Sequence, residues 1–292
     1  MRLASVLCLL LLGLLWAGAS VADQDGSLLH QAALALVLPV LVVLALTILG
    51  SLLAGALDRS GRRARGWRRW VWWGHESLAF GWCFLIAQPL LSWFMPGSDA
   101  LRSQRAQLLF VHGFVCNRGL WWRWRQAFRA EGYRTAVIDL PPTWWNIQKQ
   151  LARLDSMVQR LRAEAPALPL VLVGHSMGGV AARMLWDRLN DPLLRVVSIG
   201  APHHGTELAG GFGGRRHGPP LPSSDWLIQF NATARSLPEN AVNLWSTDDA
   251  IVVPAGSSAL DESSDHVLGG YGHLGLSQSD EILQWLLRRL RD

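Results

Sequence analysis

The chain has 292 residues, half of them hydrophobic, with 27 Lys and Arg against 22 Asp and Glu and a formal net charge of +5. The basic excess is concentrated in RSGRRARGWRR (59–69), beside apolar segments and without a nucleic-acid-binding motif, which argues against nucleic acid as a partner. Cys8, Cys83 and Cys116, two of them in hydrophobic stretches, give no basis for a disulfide framework or a cysteine-based metal site.

Residues 1–20, MRLASVLCLLLLGLLWAGAS, read either as a signal peptide with Ala17-Gly18-Ala19 at the cleavage site or as a first transmembrane helix. Residues 31–57 carry no charge until Asp58, and a run of about 20 apolar residues suffices to cross a bilayer. Arg59, Arg62, Arg63, Arg65, Arg68 and Arg69 follow at once, a pattern that marks the cytoplasmic side or a contact with anionic lipid. Residues 77–95 form a third candidate within the unit 58–95. It is interrupted by Gln88 and Pro89 and flanked by Trp70, Trp72, Trp73 and Trp93. It is either a further crossing or a buried or interfacial helix.

MPGSDALRSQRAQ (95–107) reads as a linker into a second unit, 106–292. There, strand patterns at 108–111, 135–140, 170–173 and 195–200 alternate with helical patterns near 120–130, 147–163, 178–189 and 279–291. Such alternation predicts an α/β unit with a mainly parallel sheet covered on both faces. GGFGGRRHGPPLPSS (210–224) has the composition of a loop.

The stretch LPLVLVGHSMGGVAARMLW (168–186) runs an apolar strand into a polar knot and then into a helix. A serine at the tip of so sharp a turn needs neighbours without Cβ atoms, and Gly174 and Gly178 supply them in the pattern G-x-S-x-G. The five letters are weak alone; the strand before and the helix after strengthen them. A serine hydroxyl becomes a nucleophile only beside a general base, usually a histidine oriented by a carboxylate. Downstream, NLWSTDDAIVVP (243–254) offers Asp248 and Asp249, and GGYGHLGL (269–276) places His273 in a glycine-rich loop. Asp248 competes with Asp249 at this stage, and His266 is a distant rival of His273. His112 and His175 read as supporting residues. His203 and His204 are adjacent rather than spaced along a helix face, without a carboxylate beside them, and read as structural rather than as metal ligands. Cys116 fits a core or loop position better than a nucleophile.

The chain here resembles the α/β-hydrolase superfamily and, within it, the small bacterial lipases and esterases. VLVGHSMGG is similar to their nucleophile elbow and LLFVHGF (108–114) to the segment bearing the first oxyanion-hole amide. STDDAIV resembles their acid turn, GYGHLGL their histidine loop, and SIGAPHHGTELA (198–209) their Pro-His-x-Gly-Thr segment. The resemblance spans about residues 106–292 and leaves the N-terminal hundred aside.

It implies an α/β-hydrolase fold, here expected to follow the transmembrane helices read from the apolar runs, with Ser176 as nucleophile, His273 as base and Asp249 as acid. Phe114 and Met177 would supply the oxyanion-hole amides. The expected activity is cleavage of carboxylic esters, lipid acyl esters in particular, at a bacterial inner membrane whose catalytic side is left open. No metal, organic cofactor or obligate protein partner is implied. A thioesterase or acyltransferase on the same residues, or a catalytically idle membrane scaffold, is the alternative. Trp121, Trp122, Trp124, Trp144 and Trp145 would line an acyl pocket or pack the first helix of this unit; core packing is favoured for two of the first three.

Overall fold

The computed structural model describes residues 41–43, 45, 47–50, 52, 67–99, 105–140, 147–212, 224–238, 240–260 and 264–291. The expected segment 1–20 lies outside these residues, and 31–57 is described only at scattered helical positions.

Six strands, β1 (Gln107–Val111), β2 (Arg134–Ile138), β3 (Leu170–His175), β4 (Leu194–Ile199), β5 (Val242–Ser246) and β6 (Asp265–Leu268), form one sheet in the order β2-β1-β3-β4-β5-β6. Every adjacent pair is parallel. Parallel strands need crossovers, and the chain supplies helices of the right length between them. The helices are α1 (Trp67–Gly81), α2 (Trp122–Ala130), α3 (Ile147–Glu164), α4 (Met177–Leu189), α5 (Asp225–Thr233), α6 (His273–Gln278) and α7 (Asp280–Arg289).

The central strands are apolar without alternation because both faces are covered. Leu108 and Phe110 of β1 join one apolar cluster with Trp124 and Phe128 of α2 and Ile282 and Leu286 of α7. Leu109 and Val111 join the opposite cluster with Leu154 and Val158 of α3 and Ala181 and Leu185 of α4. Strand order reverses between β1 and β3, and the crevice at the carboxyl ends of such strands is where open α/β sheets bind ligands.

Of the two readings of 77–95, the described structure matches the buried helix, packed against the sheet domain. Helix α1 passes into a π-helical turn at Trp82–Ala87 and a 3₁₀ turn at Leu91–Phe94. Cys83, Ala87, Gln88 and Ser92 are fully buried. Ala79, Cys83 and Met95 lie in the same apolar cluster as Leu108 and Phe110, so the packing unit begins well before residue 106. Among the described residues no helix is long and apolar enough to cross a membrane. The physical reason lies in the polar groups of the segment. The Gln88 side chain accepts from the Asn117 backbone N–H at 2.7 Å, while its backbone carbonyl accepts from the Ser92 hydroxyl at 2.6 Å. These groups find partners in protein, where lipid would offer none.

The first described residues of the expected linker, 95–99, are also docked. Val137 N–H donates to the Gly97 carbonyl at 2.8 Å, Ser98 bridges to Ala136, and Asp99 pairs with the buried guanidinium of Arg125 at 2.5 Å. Strand β6, helices α5 and α6, and the start of α1 ahead of residue 77 were not expected from the sequence pattern. The exposed Val267 and partly exposed remainder of β6 give an edge strand little hydrophobic signature.

Candidate active site

β3 ends at His175, α4 begins at Met177, and Ser176 between them has φ 56° and ψ −128°. A residue with a Cβ pays roughly 1–3 kcal/mol for such a conformation, and strain of this kind persists where the surroundings enforce it. They do so here. The Ser176 N–H donates to the Ile199 carbonyl at 2.9 Å, holding the elbow to β4. A Cβ at Gly178 would lie 2.6 Å from the His112 carbonyl oxygen, and one at Gly113 would lie 2.7 Å from the Ser176 Cβ. The loop after β1 therefore presses directly on the elbow, which only glycine permits.

Asp249 and His273 meet at the same end of the sheet. Nδ1 of His273 lies 2.7 Å from Oδ2 of Asp249, and both side chains are buried. The other oxygen, Oδ1, accepts the backbone N–H groups of Ile251 at 2.8 Å and Val252 at 2.9 Å. Burial alone would raise the Asp249 pKa, but the His273 ring and these two donors hold it below the usual carboxylate value. Burial likewise disfavours the charged imidazole, yet the Asp249 carboxylate outweighs it and raises the His273 pKa above 6.5. His175, the residue before Ser176, joins the two halves: its ring lies 4.6 Å from that of His273, and its Nε2–H donates to the His273 carbonyl at 2.9 Å. Burial drives the His175 pKa down to about 3, so this ring is neutral and structural.

The rival aspartate is turned elsewhere. Oδ2 of Asp248 accepts the Gly270 N–H at 2.7 Å, tying the turn after β5 to the chain ahead of His273. His266 packs against Trp285 with ring centroids 4.6 Å apart.

Phe114 follows Gly113 in the loop after β1, and Met177 heads α4, where the first N–H groups have no acceptor within the helix. The next loop residue, Val115, has φ 57°, an outlier for a β-branched side chain. The loop is braced at both ends. Nε2 of His112 accepts from the Leu140 N–H at 3.0 Å while its Nδ1–H donates to the Gly113 carbonyl at 2.8 Å. Asn117 is fixed by Gln88 from the N-terminal segment, its Nδ2 donating to the Gln88 carbonyl at 3.1 Å. Cys116 is half-buried within this loop.

The remaining expectations divide. His203 is buried, with Nε2 2.8 Å from the Ser198 hydroxyl, which donates in turn to Asn243 at 2.6 Å; His204 is exposed. Among the described residues no group of three or more His, Cys, Asp or Glu side chains is placed to hold a metal ion. Trp121 and Trp124 are fully buried in the core and Trp122 packs partly against it, whereas Trp144 and Trp145 lie outside the described residues.

Sequence reasoning missed Glu76. Its side chain is buried, and its two oxygens accept the backbone N–H groups of Leu274 and Gly275, each at 2.8 Å. The available signal was that Glu76 is the only carboxylate in residues 67–95.

Strand order, the strained elbow and the placement of these loops define an α/β-hydrolase fold. A family model described as alpha/beta hydrolase fold matches residues 107–218. A probable esterase of Oryza sativa subsp. indica is 29% identical over 99 residues, covering 32% of this chain and 38% of that protein. A pimeloyl-[acyl-carrier protein] methyl ester esterase of Vibrio cholerae is 29% identical over 96 residues, covering 33% and 37%. The chain thus spans little more than a third of these relatives' length. Among solved structures, a mature lipase of Bacillus licheniformis superposes with a TM-score of 0.55 at 17% identity, covering 66% of this chain and 96% of that one. Aspergillus fumigatus lipase B gives 0.54 at 13% identity, covering 67% and 56%.

Proposed function

We propose that the protein is a serine hydrolase of carboxylic esters, acting on lipid acyl esters and anchored to a membrane by the apolar segments before residue 58. The observation that carries the catalytic reading is the 2.7 Å contact between His273 Nδ1 and Asp249 Oδ2, joined through the His175 ring to a serine strained at φ 56°. On this reading Ser176 Oγ attacks the ester carbonyl carbon while His273 Nε2 takes its proton. Asp249 holds Nδ1 protonated, so that Nε2 keeps its lone pair for that transfer. The carbonyl oxygen becomes an oxyanion facing the N–H groups of Phe114 and Met177. Each such donor is typically worth about 3 kcal/mol of transition-state stabilisation. The imidazolium then protonates the leaving alkoxide, and water attacks the resulting acyl-enzyme by the same steps.

The lipidic and membrane part of the reading rests on the N-terminal side. Trp67, Trp70, Leu78 and Phe94 are 69–75% exposed on the docked segment, directly after the arginine-rich run. Large apolar groups exposed beside basic residues suit a bilayer interface. Of the alternatives, a catalytically idle scaffold is disfavoured because it would have no use for the buried His273–Asp249 pair beside the elbow.

A fluorophosphonate probe together with p-nitrophenyl esters of increasing chain length tests the reading. Wild-type protein is expected to label and to turn over esters, and Ser176→Ala to do neither. Turnover by Ser176→Ala within about tenfold of wild type would overturn the assignment. Labelling of a cysteine placed at Ser60 from outside intact cells would overturn the proposed orientation of the arginine cluster.

A further inference from the structure

Glu76 belongs to the docked N-terminal helix, yet its carboxylate takes hydrogen bonds from the far end of the chain. Oε1 accepts from Leu274 and Oε2 from Gly275, the two residues after His273. The approach is tight: a Cβ at Gly272 would overlap the Glu76 carboxylate, and one at Gly275 would lie 3.0 Å from Oε2. The glycines flanking His273 thus make room for this carboxylate. We propose that Glu76 is a positioning residue, clamping the histidine loop through the amides of Leu274 and Gly275 so that α1 completes the active site from outside the strand-and-helix core. The inference rests on the catalytic reading of His273.

Burying a carboxyl group against two backbone donors costs desolvation that a surface residue would avoid. The cost appears in its acidity: burial, only partly offset by the two N–H groups and His273, raises the Glu76 pKa to about 7. Of the ionisable groups around it, His273 and Asp249 act on its charge, and His175 is stacked on His273. His75, Asp248, Tyr271 and Arg123 line an adjoining groove of about 1460 Å³ between α1 and residues 269–281, to which Ser176 and His273 do not contribute. The ionised carboxylate in turn helps raise the His273 pKa, behind Asp249 in effect. Glu76 therefore bears on His273 in two ways, through the backbone of its loop and through its charge.

The two effects separate in two variants of the full chain. Glu76→Ala removes both acceptors and leaves the Leu274 and Gly275 N–H groups without partners. Glu76→Gln preserves shape and one acceptor but removes the charge. Amide hydrogen exchange over residues 269–278, measured in a Ser176→Ala background, reads the clamp without using activity. Exchange there is expected to accelerate at least about tenfold in Glu76→Ala relative to the parent. Kinetics in the Ser176 chain should show kcat lower by roughly 10–100-fold for Glu76→Ala, with KM within about twofold. For Glu76→Gln the acid limb of kcat/KM should move to lower pH by roughly half a unit. The sign follows because losing a negative neighbour lowers the pKa of an imidazole that must be neutral to act.

Unchanged exchange in Glu76→Ala overturns the clamp. Accelerated exchange with wild-type kcat and an unmoved acid limb in Glu76→Gln overturns the positioning role and leaves only packing. If Glu76→Ala does not fold, the Glu76→Gln exchange and pH profile decide on the same criteria. Failure of the underlying catalytic reading is distinguishable, since wild-type protein would then not label with fluorophosphonate at all.

Discussion

Replacing Asp249 by Asn tests the proposed site with little change of shape, and the structure dictates how the amide must sit. Oδ1 of Asp249 accepts two backbone N–H groups, those of Ile251 and Val252. An asparagine that flipped would point its NH₂ at both donors, so the amide oxygen stays there and the NH₂ faces His273 Nδ1. Nδ1 must then become an acceptor, the proton moves to Nε2, and the lone pair that should take the serine proton is gone. Trapping the wrong tautomer in this way typically costs about 10⁴ in kcat, or about 5.4 kcal/mol of barrier. Folding suffers less, because both backbone donors keep their acceptor. A loss of about 1–2 kcal/mol lowers Tm by roughly 2–8 °C in a domain of this size. Asp248→Asn removes charge from the contact with Gly270, at a side chain that does not bond His273, and should cost less than about tenfold in kcat. The assay is kcat for both variants on one short-chain p-nitrophenyl ester, with Tm as the control for folding. Equal losses, or a larger loss at Asp248, would refute the tautomer argument and the choice of acid.

Three further outcomes are expected. Deleting residues 1–95 should give an unstable, inactive chain because Glu76, Cys83, Gln88 and Met95 go with it, whereas deleting 1–66 should leave hydrolysis of short soluble esters intact; comparing circular dichroism and turnover of the two decides it. Gly113→Ala should reduce the rate of fluorophosphonate labelling by at least about tenfold, since the new methyl would lie 2.7 Å from the Ser176 Cβ; labelling at the wild-type rate would show that the loop yields. The acid limb of kcat/KM should have its midpoint above pH 6.5, because Asp249 raises the His273 pKa and the base works only when neutral; a midpoint below that value would contradict the buried pair.

The elbow was legible because its chemistry is local. A strand, two glycines, a serine and a helix lie within nineteen consecutive residues, and backbone sterics tie them together. The candidate acid was harder: Asp248 and Asp249 are adjacent, and only the direction of a side chain, invisible in composition, separates their contacts. The segment 77–95 stayed open between a crossing and a buried helix for a physical reason. Its apolar, tryptophan-rich character suits a bilayer and a protein core alike, and periodicity does not tell one apolar surrounding from another. The groups that do tell them apart, Glu76 and Gln88, take partners nearly two hundred and about thirty residues away, beyond the reach of any window. Helix α6 was read as loop because six residues starting in a glycine-rich run carry little helical signal.

The contact between Glu76 and Leu274 spans 198 residues of chain and sets a clock on biogenesis. At about 5–20 residues per second of synthesis, the carboxylate emerges roughly 10–40 seconds before the amides it will hold. Ser176 is made within that interval, ahead of both Asp249 and His273. On the proposed mechanism a nascent chain therefore carries its nucleophile with neither base nor clamp. Such a half-made polypeptide would be chemically idle, becoming competent only when the C-terminal helices close against the first one.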